Sequence, residues 1–176
     1  MRKRKQAMVM GLVAAGALAA CGPAGAQVSR SGYALPLALA LDGALAALHA
    51  CEAKGYDVTV DVVDVSGTQQ VVLRGDHSTI HTRDSAYHKA YTIVTMGPIW
   101  HFDTTTAFLG VLAKYPPVAA ESLASTPNVV ALPGGVAIKL HDEIVAGIGV
   151  GGSPGGDKDE VCARAGAAAI EAKLPG

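Results

Sequence analysis

The sequence predicts a single α+β domain, an antiparallel sheet flanked by helices, which is an α/β fold in the broad sense. Three observations carry this. Apolar residues recur with helical spacing in some segments and alternate in others. The links between neighbouring strand segments are short, which pairs those strands antiparallel. About 150 residues follow the amino-terminal segment, enough for one hydrophobic core.

The first helix opens at Pro36, where a missing N–H costs nothing. Leu37, Leu41, Ala44, Leu48 and Cys51 mark its buried stripe, and Gly55 ends it. Val58 to Val65 is β-branched and alternating, Ser66-Gly67 makes a turn, and Thr68 to Arg74 runs back as a hairpin. The polar loop from Gly75 to Ile80 leads to a second helix over Thr82 to Met96, stopped by Gly97-Pro98. Asp103 is expected to cap a shorter helix ended by Pro116-Pro117. Val129 to Leu132, Val136 to Leu140 and Ile144 to Val150 read as strands. The last helix is expected to start at Asp157, with Glu160 completing a capping box.

The amino terminus reads as an export signal. Arg2, Lys3, Arg4 and Lys5 precede an uncharged run from Ala7 to Ala20, fourteen residues long, where a membrane span needs about 20. Two processing routes stay open. Leu18-Ala19-Ala20-Cys21 resembles a lipobox, which would anchor the protein through a lipidated Cys21. Ala24-Gly25-Ala26 fits ordinary cleavage before Gln27. The domain plan is therefore residues 1–26 as signal, 27–34 as flexible linker and 35–176 as one domain, placed in the periplasm or outside the cell.

Removing residues 1–26 leaves ten basic and fifteen acidic side chains, a net charge of −5. That balance argues against nucleic acid as a partner. Cys51 and Cys162 cannot build a disulfide framework. One bridge is open to them in an oxidising compartment, but two buried thiols are the favoured reading.

Several motifs fail on inspection, and no catalytic residue is assigned. Gly147 to Gly152 satisfies G-x-G-x-x-G, but its first glycines lie inside a strand and no second parallel strand follows. The glycines are better read as letting another backbone or a ligand approach the sheet. Gly151-Gly152-Ser153-Pro154-Gly155 satisfies G-x-S-x-G, but Pro154 has no N–H for an oxyanion, and no histidine follows His141. His77, His81 and His88 cluster, yet His88 lies too far along the helix to share an ion with the other two. Asp57, Asp61 and Asp64 are read as edge and turn residues rather than paired acids.

Read together, the segments resemble the GlcG/HbpS-type haem-binding family, which includes a haem-degrading domain. The matching pieces run through the mature chain. Val60-Asp61-Val62-Val63-Asp64-Val65-Ser66-Gly67 resembles the family's first strand and turn, and Leu73-Arg74-Gly75-Asp76 the end of its second. Ala86-Tyr87-His88-Lys89-Ala90-Tyr91-Thr92 resembles its central helix. Gly134-Gly135-Val136-Ala137-Ile138 and Gly147-Ile148-Gly149-Val150 resemble the late strands, and Asp159 to Gly166 the last helix. The chain departs from the family at Ile93 and Gly151, where Ala and Ser are common.

The resemblance implies a profilin-like sheet with flanking helices and assembly into a homo-oligomer. The small-residue strand from Ile144 to Gly152 and the last helix offer flat surfaces for subunit contact. It also implies haem as the ligand, for storage, sensing or slow breakdown. The alternative is an enzyme or carrier for another small molecule, such as a hydroxy acid or a corrinoid. For haem, Ile93, Met96, Ile99, Trp100 and Phe102 are expected to line an apolar slot. The candidate iron donors are His81, Tyr87, His88, Tyr91 and His101, with Arg83 and Lys89 for the propionates. His101 ranks first because it lies between Trp100 and Phe102 and would be shielded from water.

Overall fold

A computed structural model describes residues 31–175. The signal segment and its Cys21 lipobox lie outside the described residues.

The elements run α1 (Leu37–Glu52), β1 (Thr59–Asp64), β2 (Gln69–Arg74), α2 (His81–Trp100), α3 (Thr105–Leu112), α4 (Pro117–Ala124), β3 (Gly135–Leu140), β4 (Glu143–Gly151) and α5 (Gly156–Glu171). The four strands form one antiparallel sheet in the order β2-β1-β4-β3. α1 and α5 cover one face, over Val60, Val62, Ile138, Ile148 and Val150. α2 covers the other, over Val63, Ala137 and Ile144. Alternation along each strand divides its side chains between two cores.

Small residues decide how closely the layers approach. On β4, Gly147, Gly149 and Gly151 face α2. A Cβ at Gly149 would stand 2.1 Å from the Ala86 carbonyl oxygen, and one at Gly147 would stand 2.7 Å from that of Ala90. The α2 backbone therefore lies directly on a glycine track, and the glycines serve close approach as expected. On the other face, Gly43 of α1 meets Ile170 and the Gly166 backbone of α5. That contact turns the small side of α1 inward: Ala40, Gly43, Ala44, Ala47 and Cys51 are buried. Leu37 and Leu41, expected in the stripe, are 61% and 40% exposed.

α1 and α5 are also joined covalently. Cys51 and Cys162 form a disulfide with their Cα atoms 5.6 Å apart. This corrects the expectation of two free buried thiols. Crossing α1 over α5 brings the last turn of one beside the middle of the other, a juxtaposition that sequence spacing does not report.

Other expectations shift at element ends. α2 does not stop at Gly97-Pro98 but continues through Pro98 to Trp100. A proline in the last turn forfeits one hydrogen bond, with little helix beyond it to disrupt. The cap of α3 is Thr104, whose hydroxyl accepts the Ala107 N–H, while Asp103 pairs with Lys139 at 3.2 Å. Pro117 begins α4, a short helix without buried residues. Val129 to Leu132 form no strand. The Val130 N–H is taken by the Thr92 hydroxyl, and the free edge of β3 is met by Asp103 and Thr104. α5 starts after Gly155 without a capping box, because Glu160 turns to Thr106 and Arg164. β4 is buried between the two helical layers, so it presents no surface for subunit contact.

Candidate functional site

α2 carries most of the residues singled out by sequence, but the helical turn sends them in different directions. Lys89 points inward. Its ammonium is 2.7 Å from Asp159 Oδ2 and donates to the Val150 carbonyl at 2.8 Å. Asp159 also accepts the Ser153 N–H and hydroxyl. This buried pair ties α2 to the start of α5 across the sheet. The ammonium is therefore satisfied inside the fold, not presented to a propionate.

His81 is exposed at the start of α2, its Nδ1 3.2 Å from the Thr79 hydroxyl. Tyr87, His88 and Tyr91 lie half-buried on one flank, the Tyr87 ring centroid 5.7 Å from each of the other two. Arg83 is exposed and pairs with Asp84. Below this flank lies Asp61, fully buried in the central strand β1 rather than at an edge. Gln69 donates to its Oδ2, and its Oδ1 has no protein partner. Burial pushes the Asp61 carboxyl up to about 6, against the lowering effect of the Gln69 bond. The Tyr87 hydroxyl is raised as well, first by burial and then by Tyr91 and Asp61. A carboxylate in a valine-rich strand was the available sequence signal for Asp61. Asp64, by contrast, is the expected turn residue, accepting from Ser66 and Thr68.

The apolar slot expected around α2 does not exist as a slot. Ile93, Met96 and Phe102 are core residues, and Phe102 packs on Phe108 with ring centroids 5.1 Å apart. Ile99 is exposed, and the Trp100 Nε1 donates to the Tyr115 hydroxyl at 3.0 Å. His101 is not shielded between aromatics. It sits in the left-handed conformation, φ 54°, at the end of α2 and is exposed.

That conformation places His101 on a cavity of about 500 Å³ between the end of α2 and the β3–β4 hairpin. Gly97, Pro98, Leu140 and Ile144 give it some apolar surface, Ser31, Asp142 and Glu143 add polar and acidic groups, and Lys139 adds a cation that is shared with Asp103. His141, at the hairpin turn, lines it too. Sequence reasoning passed over His141, because nothing in the chain near it marks a site. Among the described residues no group of three or more His, Cys, Asp or Glu side chains is arranged to hold a metal ion. A bare ion therefore finds too few donors here. Haem brings four equatorial nitrogens and asks the protein for one or two. The cavity is of ligand size and carries two exposed imidazoles, but Ser31, Asp103, Lys139, Asp142 and Glu143 share its lining, so its surface is as polar as it is apolar and lacks the apolar slot expected for haem.

The family model described as "Haem degrading protein HbpS-like" matches residues 35–168. This chain belongs to the HbpS-like family. A double-mutant form of HbpS from Streptomyces reticuli is 36% identical with a TM-score of 0.69, covering 92% of this chain and 97% of that one. A second HbpS structure is 38% identical with a TM-score of 0.70, over 80% of this chain and 92% of that one. A PduOC:heme complex is 25% identical with a TM-score of 0.67, over 78% and 95%. A search of the curated proteins finds no match. This HbpS-like chain shares the α+β fold of these structures and belongs to a family concerned with haem.

Proposed function

We propose that this chain is an exported haem-binding protein of the cell envelope, holding haem in the cavity at the end of α2 with His101 as the iron donor. The observation that carries the reading is the match of residues 35–168 to the haem-degrading HbpS-like family, beside an exposed His101 on a cavity of about 500 Å³. The structure of PduOC with heme supports the choice of ligand. Lys139, which lines the cavity and pairs with Asp103, would be its cation for a propionate. When bound, haem supplies a redox-active iron suited to storage, sensing or slow breakdown of the ring itself. The Cys51–Cys162 disulfide supports residence outside the cytoplasm, where such bonds persist. Export by the signal at residues 1–26 and assembly into a homo-oligomer are parts of the same reading. The flank of Tyr87, His88 and Tyr91, with His81 beyond it, is the second place to look for the iron donor. Hemin titration of the purified mature protein should give a shifted Soret band at one haem per subunit. His101→Ala should alter that band, and His49→Ala, on α1, should not. An unshifted band in the parent protein would remove haem as the ligand. A band indifferent to His101→Ala would move the donor to the tyrosine flank.

A further inference from the structure

α1 carries a row of leucines on the flank turned away from α5. Gly43 packs on Ile170 and the Gly166 backbone, and Asp42 pairs with Lys173, so α5 lies on one side of α1. Leu37, Leu41, Leu45 and Leu48 recur at three- and four-residue spacing on the other side. Leu37 is 61% exposed, Leu41 40% and Leu45 37%. The row lies beside β2. At one end Gln70 donates to the Leu35 carbonyl at 3.0 Å. At the other, a Cβ at Gly75 would lie 3.6 Å from Leu48 Cδ1. Leu37 to Leu48 on the helix and Gln70 to Gly75 on the strand each span about 17 Å.

β2 is an outer strand with a free edge. The sheet order β2-β1-β4-β3 leaves two edges. That of β3 is closed: the Asp103 carbonyl accepts the Ala137 N–H at 2.8 Å, Thr104 bridges to Val136, and Glu171 accepts the Lys139 N–H at 2.9 Å. Among the described residues, Val71 to Arg74 exchange backbone hydrogen bonds with β1 alone. β2 has no proline, lysine or acidic residue to guard that edge, only a bulge where Gln70 has no partner in β1.

An open edge takes an extended backbone, and a leucine row takes apolar surface. A second copy brings both on the same flank. A two-fold axis at the β2 edge would set the two β2 strands antiparallel and the two α1 helices side by side over the joint. Antiparallel pairing about Val72 keeps the two copies' Arg74 side chains at opposite ends of that joint. Each copy then ends at its closed β3 edge, so edge pairing stops at two.

We propose that a second copy of this chain docks here, β2 against β2 and leucine row against leucine row, joining two four-stranded sheets into one. This rests on the reading of the chain as a homo-oligomer and gives that reading its interface. It also accounts for Leu37 and Leu41, which keep the pattern of a buried stripe because the second copy covers them.

The test is analytical ultracentrifugation of the purified mature protein at micromolar concentration, with hydrogen exchange of the β2 amides. The parent should sediment as a dimer or a multiple of two, with Val71 to Arg74 protected. Leu41→Lys combined with Leu45→Lys, and separately Val72→Lys, should each raise the dissociation constant of this contact roughly 100-fold or more. Val118→Lys, at an 81% exposed position on α4, should leave the mass as in the parent. Circular dichroism like that of the parent shows that a variant is folded. If the paired lysines unfold the chain, Leu41→Gln with Leu45→Gln takes their place. An oligomer whose mass neither the leucine variant nor Val72→Lys alters would overturn this interface and leave assembly standing. An oligomer whose Val71 to Arg74 amides all exchange freely would overturn the edge pairing. A parent that stays monomeric would overturn assembly itself, and this proposal with it.

Discussion

Replacing Lys89 with methionine should be among the most damaging single changes in this fold. The ammonium and the Asp159 carboxylate are each 4% exposed and 2.7 Å apart. Methionine keeps most of the stem's volume but removes the charge. Asp159 would then remain buried as an anion with only the Ser153 N–H and hydroxyl as partners. Breaking such a pair from one side costs about 3–5 kcal/mol, because it leaves a buried charge uncompensated. A domain of this size has roughly 5–15 kcal/mol in total. With a urea slope of about 2 kcal/mol per molar, the unfolding midpoint should fall by about 2 M. Asp159→Leu alone should cost a similar amount, and the double replacement should cost clearly less than the sum. The measurement is urea unfolding followed by circular dichroism for the parent, both single variants and the double. A single-variant loss below about 1 kcal/mol, or strict additivity in the double, would show that the pair does not act as a buried clamp.

Three further outcomes are expected. Replacing Cys51 and Cys162 together by serine should cost about 2–5 kcal/mol, since the bond closes a long loop between residues 111 apart in sequence; an unchanged melting temperature would refute a stabilising bridge. Asp61 holds its proton more tightly when folded, so its contribution should be most favourable below about pH 4, decline between about pH 4 and 6 and level off above. The full span is about 3 kcal/mol, and the difference in stability between the parent and Asp61→Asn should follow that curve; a difference independent of pH would refute the raised carboxyl. If the lipobox is used, the exported protein should label with palmitate and partition into detergent, and Cys21→Ser should abolish both.

The sheet was legible because its signals are local. The valine alternation of β1, the Ser66-Gly67 turn and the return of β2 need only neighbours in sequence, and the hairpin forms as read. What failed depended on partners far away. Leu37 and Leu41 look like the buried side of α1 until Gly43 meets Gly166 and draws the alanine side inward. Val129 to Leu132 has strand composition, but the edge it would join is met by Asp103 and Thr104. The disulfide was undetermined for the same reason. His101 lines the cavity at the end of α2, but the shielding expected for it is absent. Its aromatic neighbours turn away, Phe102 into the core and Trp100 toward Tyr115. Lys89 carried the family pattern and proved to be a structural cation.

The glycines of β4 connect that fold to the cavity. Gly147, Gly149 and Gly151 lie two residues apart and so share one face of the strand. With no side chains in the way, α2 settles onto the strand along several turns, its backbone against theirs. Its direction is then set by β4 itself. At one end Ser85 and Ala86 lie over Gly151, and at the other Gly97 comes to rest on Ile144. The end of α2 is thereby delivered to the β3–β4 hairpin. Pro98 and the left-handed turn at His101 can then open a cavity there rather than continue the helix past the sheet. The G-x-G-x-x-G pattern that cannot hold a dinucleotide in this topology has a different use. It is the surface that aligns one histidine-bearing wall with the other.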